Sequence, residues 1–288
     1  MGHFSINMNR KVKCRLLLFV ILAVVGVSYL PNDQQLMRIQ FVCMTIAFLF
    51  VCFYVYRIRQ AVSRARAEAD THFVQTEALL SLMAIIRPSA PLPPTRSWAA
   101  SPDFLCEVAS RILQDKPKLV VEASSGVSTV VIAYCLRMNG EGGRVISLEH
   151  DEHYASVTRK QLKIHDLEEF STVAYSPLIA HDLDGKQYRW YEASAIPESA
   201  EIDLLVVDGP PAKSDCDVET RFPALPLLFS RLSIGSTVIM DDVIRQGEKQ
   251  IVQEWLRRFP NFHHEYLCLE KGASVLVKKE SVSPSLSK

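Results

Sequence analysis

The sequence predicts an α/β fold: a doubly wound, mostly parallel seven-stranded sheet with a C-terminal antiparallel hairpin, preceded by two transmembrane helices. Three observations carry this. From residue 95 onward short apolar strands alternate with amphipathic helices, the pattern of a parallel sheet with helices on both faces. Four of the first five strands end in a carboxylate, and in such sheets ligands bind beyond the carboxyl ends of the strands. Two uncharged apolar runs stand near the N-terminus.

Composition narrows the class. Of 288 residues, 48% are hydrophobic and 22% charged, which is globular and not disordered. Eleven Gly and 15 Pro exclude collagen-like and Gly/Ser low-complexity chains. A net charge of zero gives no basic field, so nucleic acid is not an expected partner. The charge is uneven, however. Residues 1–70 hold nine Lys/Arg against three Asp/Glu, and the rest holds 23 against 29. A basic apolar head on an acidic body suggests a membrane-facing segment and a soluble domain. The seven Cys are widely spaced with no C-x-x-C, which argues against a disulfide framework or a zinc site.

The head spans residues 1–56. Residues 16–30 (LLLFVILAVVGVSYL) and 41–56 (FVCMTIAFLFVCFYVY) carry no charge. Each bare run covers about 22–24 Å at helical rise, short of a hydrocarbon core of roughly 30 Å. Flanking residues add length, and Lys13, Arg15 and Arg57 can snorkel to the interface. Pro31-Asn32-Asp33 marks a turn between the runs, so the two read as a helical hairpin. A signal peptide and buried helices are the competing readings. Arg10, Lys11, Lys13 and Arg15 precede the hairpin, Arg57, Arg59, Arg64 and Arg66 follow it, and Arg38 alone lies in the loop. The positive-inside rule then leaves both termini and the whole body in the cytoplasm, on a multi-pass inner-membrane protein.

Residues 57–94 form the next segment. Ile58, Val62, Ala65, Ala69, Phe73, Thr76, Leu80 and Met83 recur at three- and four-residue steps, a helical period. One reading is a coiled coil that pairs two copies of the chain; the other is a juxtamembrane helix packed on the body. The Ala-rich stripe favours the second. Residues 87–94 (RPSAPLPP) are a stiff Pro-rich linker,.

The body is placed at 95–279, with 280–288 a disordered tail. Helices are expected over 104–113, 126–138, 153–165, 224–232 and 246–258. Strands are expected over 118–122 (KLVVE), 144–149 (RVISLE), 171–175, 202–208 (IDLLVVD) and 236–241 (STVIMD), with a closing hairpin over 264–269 and 274–278. After the first strand the turn reads Glu122-Ala123-Ser124-Ser125-Gly126-Val127-Ser128-Thr129. It lacks the G-x-G-x-x-G of a dinucleotide site. Its small residues still allow close backbone approach to a ligand at a helix N-terminus.

These segments resemble the class I S-adenosylmethionine-dependent methyltransferases, a Rossmann-like family, over about residues 95–279. The resemblance rests on VVEASSGVST (120–129), VISLEHD (145–151), IDLLVVDGPP (202–211), GSTVIMDDV (235–243) and the closing strand pair. It implies that Glu122, Ser124, Gly126 and Ser128 lie around the methionine part of the cofactor. It also implies that Glu149 accepts from the ribose hydroxyls, that His150 and Asp151 flank the adenine, and that Asp208 borders the cofactor. A carboxylate suits the ribose because it is a pure acceptor facing two donors. The chain departs from the family at Ser124, where the family usually has its first Gly.

A second resemblance, to the metal-dependent O-methyltransferases of the catechol, caffeoyl-CoA and macrolide-sugar types, concerns Asp208, Asp241 and Asp242. It implies that these three acids hold Mg²⁺, which takes hard oxygen ligands, and that the metal orients and acidifies a substrate hydroxyl. Asp208, Asp241 and Lys213 are then the catalytic set, with Lys213 the nearest stand-in for a base where Pro211 occupies the usual place. The competing readings are that Asp208 caps a turn and Asp242 caps the following helix, and that Arg245 is a surface charge pairing with Asp242 or Glu248. The function expected is a membrane-anchored O-methyltransferase acting on a small-molecule or glycan acceptor. The alternative is a catalytically inactive scaffold on the same fold.

Overall fold

A computed structural model describes residues 35–140, 142–212 and 219–280. The first apolar run, Lys213 and residues 281–288 of the tail lie outside the described residues. The chain divides into two compact units, Met1–Asp70 and Thr71–Lys288.

In the first unit, the described residues belong to one helix, α1 (Gln35–Ile86), which continues into the second unit. The second apolar run and the juxtamembrane segment are therefore a single uninterrupted helix. Met44, Phe50, Val51, Tyr54 and Ile58 are exposed, as the side chains of a lipid-facing helix would be. Among the described residues one helix is long and apolar enough to cross a membrane.

The second unit opens on the last turns of α1. Gln75, Leu82 and Ile86 are buried there, and Leu82 and Ile86 join one core with Phe104, Leu105, Val108 and Ile112 of α2 (Pro102–Asp115). That core therefore begins before the Pro-rich linker. The linker is itself pinned: Ser89 donates its backbone N–H to Tyr134 Oη at 2.9 Å.

The remaining order is β1 (Leu119–Ala123), α3 (Val127–Asn139), β2 (Arg144–Glu149), α4 (Glu152–Ile164), β3 (Ser171–Tyr175), β4 (Leu178–Leu183), β5 (Lys186–Tyr191), β6 (Ile202–Val207), α5 (Ala224–Leu228), β7 (Leu232–Met240), α6 (Gln246–Arg258), β8 (Phe262–Leu267) and β9 (Ala273–Lys278). Seven strands form one sheet in the order β3-β2-β1-β6-β7-β9-β8. The first five pair in parallel, and β9 and β8 run antiparallel. This is the sheet expected from the alternation. β1 (LVVEA) is buried at every position because it is central and covered on both faces. The two faces carry separate cores: Val120, Val206 and Ile239 pack with α2 and α3, and Val121, Leu205 and Val238 pack with Ile251 and Trp255 of α6.

The helix expected over 224–232 ends at Leu228, and β7 begins at Leu232, before the expected residue 236. β4 and β5 form a separate antiparallel pair where no strand is expected. Asp184 and Gly185 join them, both at positive φ (58° and 81°), the conformation that Asp-Gly favours in a tight hairpin turn. This hairpin buries Trp190 and Tyr191 completely.

Candidate functional site

The sheet order reverses between β1 and β6: the chain runs outward through β2 and β3, then returns to add β6 on the other side. Ligand crevices open at such switch points. A cavity of about 570 Å³ lies there, within the range of roughly 300–1,000 Å³ typical of small-molecule sites. Ser124 and Ser125 line it from the turn after β1, and Glu149, His150 and Asp151 from the end of β2. Asp208 and Gly209 follow β6, and Asp242 follows β7. Of the four acidic strand ends, Glu149 and Asp208 line this space, and Asp242 joins them in place of its neighbour Asp241.

Glu149 is the best-placed of them. Its Oε2 accepts from Ser125 Oγ at 3.0 Å and its Oε1 from the Asp151 N–H at 3.0 Å. His150 Nδ1 lies 3.1 Å from Oε1. The carboxylate is thus held rigidly at the cavity wall, bridging the turns after β1 and β2. Asp151 also lines the cavity, while its Oδ1 caps α4 by accepting from the His153 N–H at 2.8 Å.

Ser124 stands at φ 122°, a backbone conformation that glycine adopts freely and an L side chain only under strain. The turn has kept the glycine shape without the glycine. Glu122, Gly126 and Ser128 do not line the cavity. Glu122 is fully buried and accepts from Thr129 Oγ1 at 2.7 Å and Ser147 Oγ at 2.5 Å, which ties β1, β2 and α3 together. Burial pushes its carboxyl above the usual range, while the hydroxyls of Ser128, Ser147 and Thr129 pull the other way. The Gly126 N–H is taken by Thr129 Oγ1 at 3.0 Å.

The sequence reading did not include Arg221, Tyr191 or Lys271, and all three line the cavity. Arg221 Nη2 donates to Asp242 Oδ2 at 2.7 Å and lies 3.5 Å from Asp208 Oδ1. Its Nη1 donates to the Asp241 carbonyl at 2.9 Å. The neighbouring Phe222 is buried, stacks beside Tyr188 at 5.0 Å and accepts from Trp255 Nε1 at 2.8 Å, which fixes the backbone that carries Arg221. Burial opposes the Arg221 charge, but Asp208 and Asp242 outweigh it and raise its pKa. Nothing in the sequence marks Arg221: it is one arginine in a long loop, and its burial is a tertiary fact. Tyr191 had a local signal, the Asp184-Gly185 hairpin. Its hydroxyl is buried without a partner among the described residues, and a Cβ on Gly209 would collide with it. Burial holds this phenol well above its usual pKa, so it is a neutral donor.

The three aspartates are adjacent but do not form the expected metal cage. Among the described residues no group of three or more His, Cys, Asp or Glu is arranged to hold a metal ion. Asp242 and Asp208 face the Arg221 guanidinium. Asp241 is fully buried and turns Oδ1 back to accept the Asp242 N–H at 2.8 Å. Burial first, and then Asp208 and Asp242, push Asp241 up to about 8; burial pushes Asp208 up to about 6 against the pull of Arg221. Asp242 does not cap α6, which starts after Arg245 with no side-chain cap. Arg245 does pair with Asp242 at 3.1 Å and Glu248 at 3.6 Å.

Comparison with known proteins bears on the fold. Residues 123–243 match the family model described as a methyltransferase domain. No curated protein sequence matches the chain. Among solved structures, the SAH-bound Podospora anserina methyltransferase PaMTH1 is 14% identical with a TM-score of 0.53, covering 75% of this chain and 96% of its own. The Bacillus cereus O-methyltransferase in complex with SAH is 17% identical with a TM-score of 0.50, covering 73% and 97%. A Geobacter sulfurreducens methyltransferase is 15% identical with a TM-score of 0.50, covering 75% and 96%. Residues 123–243 thus match a methyltransferase domain in sequence, and the sheet that carries them has the fold of solved methyltransferases.

Proposed function

We propose that this chain is an S-adenosylmethionine-dependent methyltransferase, tethered to a membrane through α1, that methylates a hydroxyl of a small-molecule or glycan acceptor. One observation carries the reading: the Glu149 carboxylate is fixed at the wall of a cavity at the β1/β6 switch point. A ribose offers two donors to such an acceptor, and the cavity is large enough for a nucleoside with an amino-acid arm. The bound cofactor supplies an electrophilic methyl group on sulfur. The chain's own residues bind and orient. Glu149 would hold the sugar, His150 and Asp151 would border the base, and the Tyr191 hydroxyl, whose ring packs beside His150, would offer a neutral donor. Trp98 and Arg245 stand at the rim, where an acceptor enters. Alignment of this kind accounts for a large part of the barrier in a bimolecular transfer. The tether rests on the exposed apolar residues of α1, and the flanking basic residues put the body on the cytoplasmic side.

The test is calorimetric titration of the detergent-solubilised full chain with S-adenosylmethionine and S-adenosylhomocysteine. Saturable binding at one site per chain, weakened at least about tenfold (roughly 1.4 kcal/mol) in Glu149→Ala, is expected. No binding by a folded chain would overturn the reading and leave a non-catalytic scaffold.

A further inference from the structure

We propose that the Arg221 guanidinium is the resident cation of the acidic cluster, standing where Mg²⁺ was expected between Asp208 and Asp242. The inference deepens the methyltransferase reading, on which it rests, by stating how an acceptor oxygen is held there.

A Mg²⁺ ion needs oxygen ligands at about 2.0–2.1 Å in near-octahedral array. The place between Asp208 and Asp242 is filled by Nη2, at 3.5 Å and 2.7 Å from their oxygens. The guanidinium is not a surface charge that could swing aside. Its side chain is 5% exposed, its other terminal nitrogen is engaged by the Asp241 carbonyl, and its backbone neighbour Phe222 is locked by Trp255 and Tyr188. The third acid, Asp241, gives one oxygen to its own turn and makes no contact with Arg221 through its carboxylate. The set therefore has the charge pattern of a cation site but the geometry of an arginine site, and a planar fork suits two carboxylates and a carbonyl. Arg221 thus holds Asp208 and Asp242 in place, and acceptor recognition at this end of the cavity falls to the exposed Arg245 that lines it beside Asp242 and to no divalent ion.

The test reads metal alone, with no cofactor or acceptor present. Mn²⁺, a paramagnetic stand-in for Mg²⁺, is titrated into the detergent-solubilised full chain and followed by electron paramagnetic resonance. The expected result is no Mn²⁺ site that depends on Asp208 or Asp242: either the free-ion signal is unreduced, or any loss is the same in Asp208→Asn and Asp242→Asn. A saturable site lost in those two variants would overturn the proposal. Arg221→Ala, where it folds, is expected to gain such a site; a folded Arg221→Ala that takes up no Mn²⁺ would also count against it. Because the wild-type titration decides by itself, a variant that fails to fold does not disable the test. Failure to bind S-adenosylhomocysteine would sink the methyltransferase reading while leaving the metal result intact, so the two failures are distinguishable.

Discussion

Arg221 Nη2 donates to Asp242 Oδ2 at 2.7 Å, and both side chains are 5% exposed. Two opposite charges buried together in this way hold each other in place. Neither has solvent to fall back on, so removing one leaves the other in a low-dielectric setting with a single weaker partner, Arg245 for Asp242 and Asp208 for Arg221,. The pair joins the loop before α5 to the turn after β7, two segments far apart in sequence that both face the cavity.

The first prediction follows from that pair. Arg221→Met is expected to destabilise the chain by up to about 3–5 kcal/mol, because Asp208 loses its ion-pair partner and Asp242 keeps only the exposed Arg245,. Asp242→Asn alone should cost less, since the amide still accepts a hydrogen bond. The double variant should be more stable than the two single losses added together, by at least about 1 kcal/mol. Thermal unfolding of the four proteins in one detergent completes the cycle; strict additivity would mean the two side chains are not coupled.

Tyr191 gives the second. Its hydroxyl is buried and unpartnered among the described residues, which costs stability in the ligand-free chain. Tyr191→Phe should therefore leave unfolding unchanged or raise stability by up to about 1 kcal/mol, while S-adenosylhomocysteine or acceptor affinity falls about tenfold. A loss of stability with unchanged binding would show that the hydroxyl serves the fold and no ligand. Gly209→Ala should be harmful for the complementary reason: its new Cβ would meet the Tyr191 hydroxyl and come within 3.1 Å of Ser124 Cβ and 3.2 Å of the Ala123 carbonyl.

Ser124 gives the third. Its φ of 122° stores strain of order 1–3 kcal/mol. Ser124→Gly relieves it but enlarges the unfolded ensemble, an opposing effect of about 0.4–1 kcal/mol. The net expectation is equal or higher thermal stability with cofactor binding retained. Ser124→Val should be clearly less stable than wild type, since a β-branched residue fits this conformation worst.

A fourth concerns pH. His165 is fully buried, and its Nδ1 is 2.7 Å from Tyr134 Oη, the same hydroxyl that pins the linker through Ser89. Burial lowers the His165 pKa below its ordinary value of 6.5, against a raising contact from the Pro91 carbonyl and with help from nearby Arg137. The folded chain thus holds this proton less well than the unfolded chain. The stability it contributes is complete above the unfolded pKa and is lost as pH falls through the lower folded value. Between about pH 8 and about pH 5 this contribution opposes that of Asp208 and Asp241, whose raised carboxyls favour the folded chain as pH falls, so the test is the difference between proteins: the unfolding midpoint of wild type relative to His165→Gln should drop as pH falls. An identical slope in the variant would remove His165 from the account.

Much of the fold is legible in the residues. The alternation of apolar strands and amphipathic helices places the five parallel strands and the closing pair, because each strand must be buried on both faces and each helix on one. The carboxylates that end β2 and β6 reach the cavity for the same reason: strand ends in a parallel sheet point to one side. The β4–β5 hairpin has a signal in Asp184-Gly185, but a weak one, since β4 has no buried residue and β5 only its last two. Glu122 shows the opposite error. A carboxylate at a strand end looks like a ligand group, yet hydroxyls on two neighbouring elements claim it.

By itself, then, the sequence determined the sheet, a helix over the second apolar run and the carboxylates Glu149 and Asp208 at the cavity, all of which follow from local period and polarity. Only the tertiary structure decided which of the other acids face the cavity and what cation meets them. A charge pattern on paper does not say whether Asp208 and Asp242 meet a metal or a guanidinium. That choice depends on Arg221 being buried between them while its neighbour Phe222 is held by Trp255 and Tyr188, contacts that no local pattern encodes.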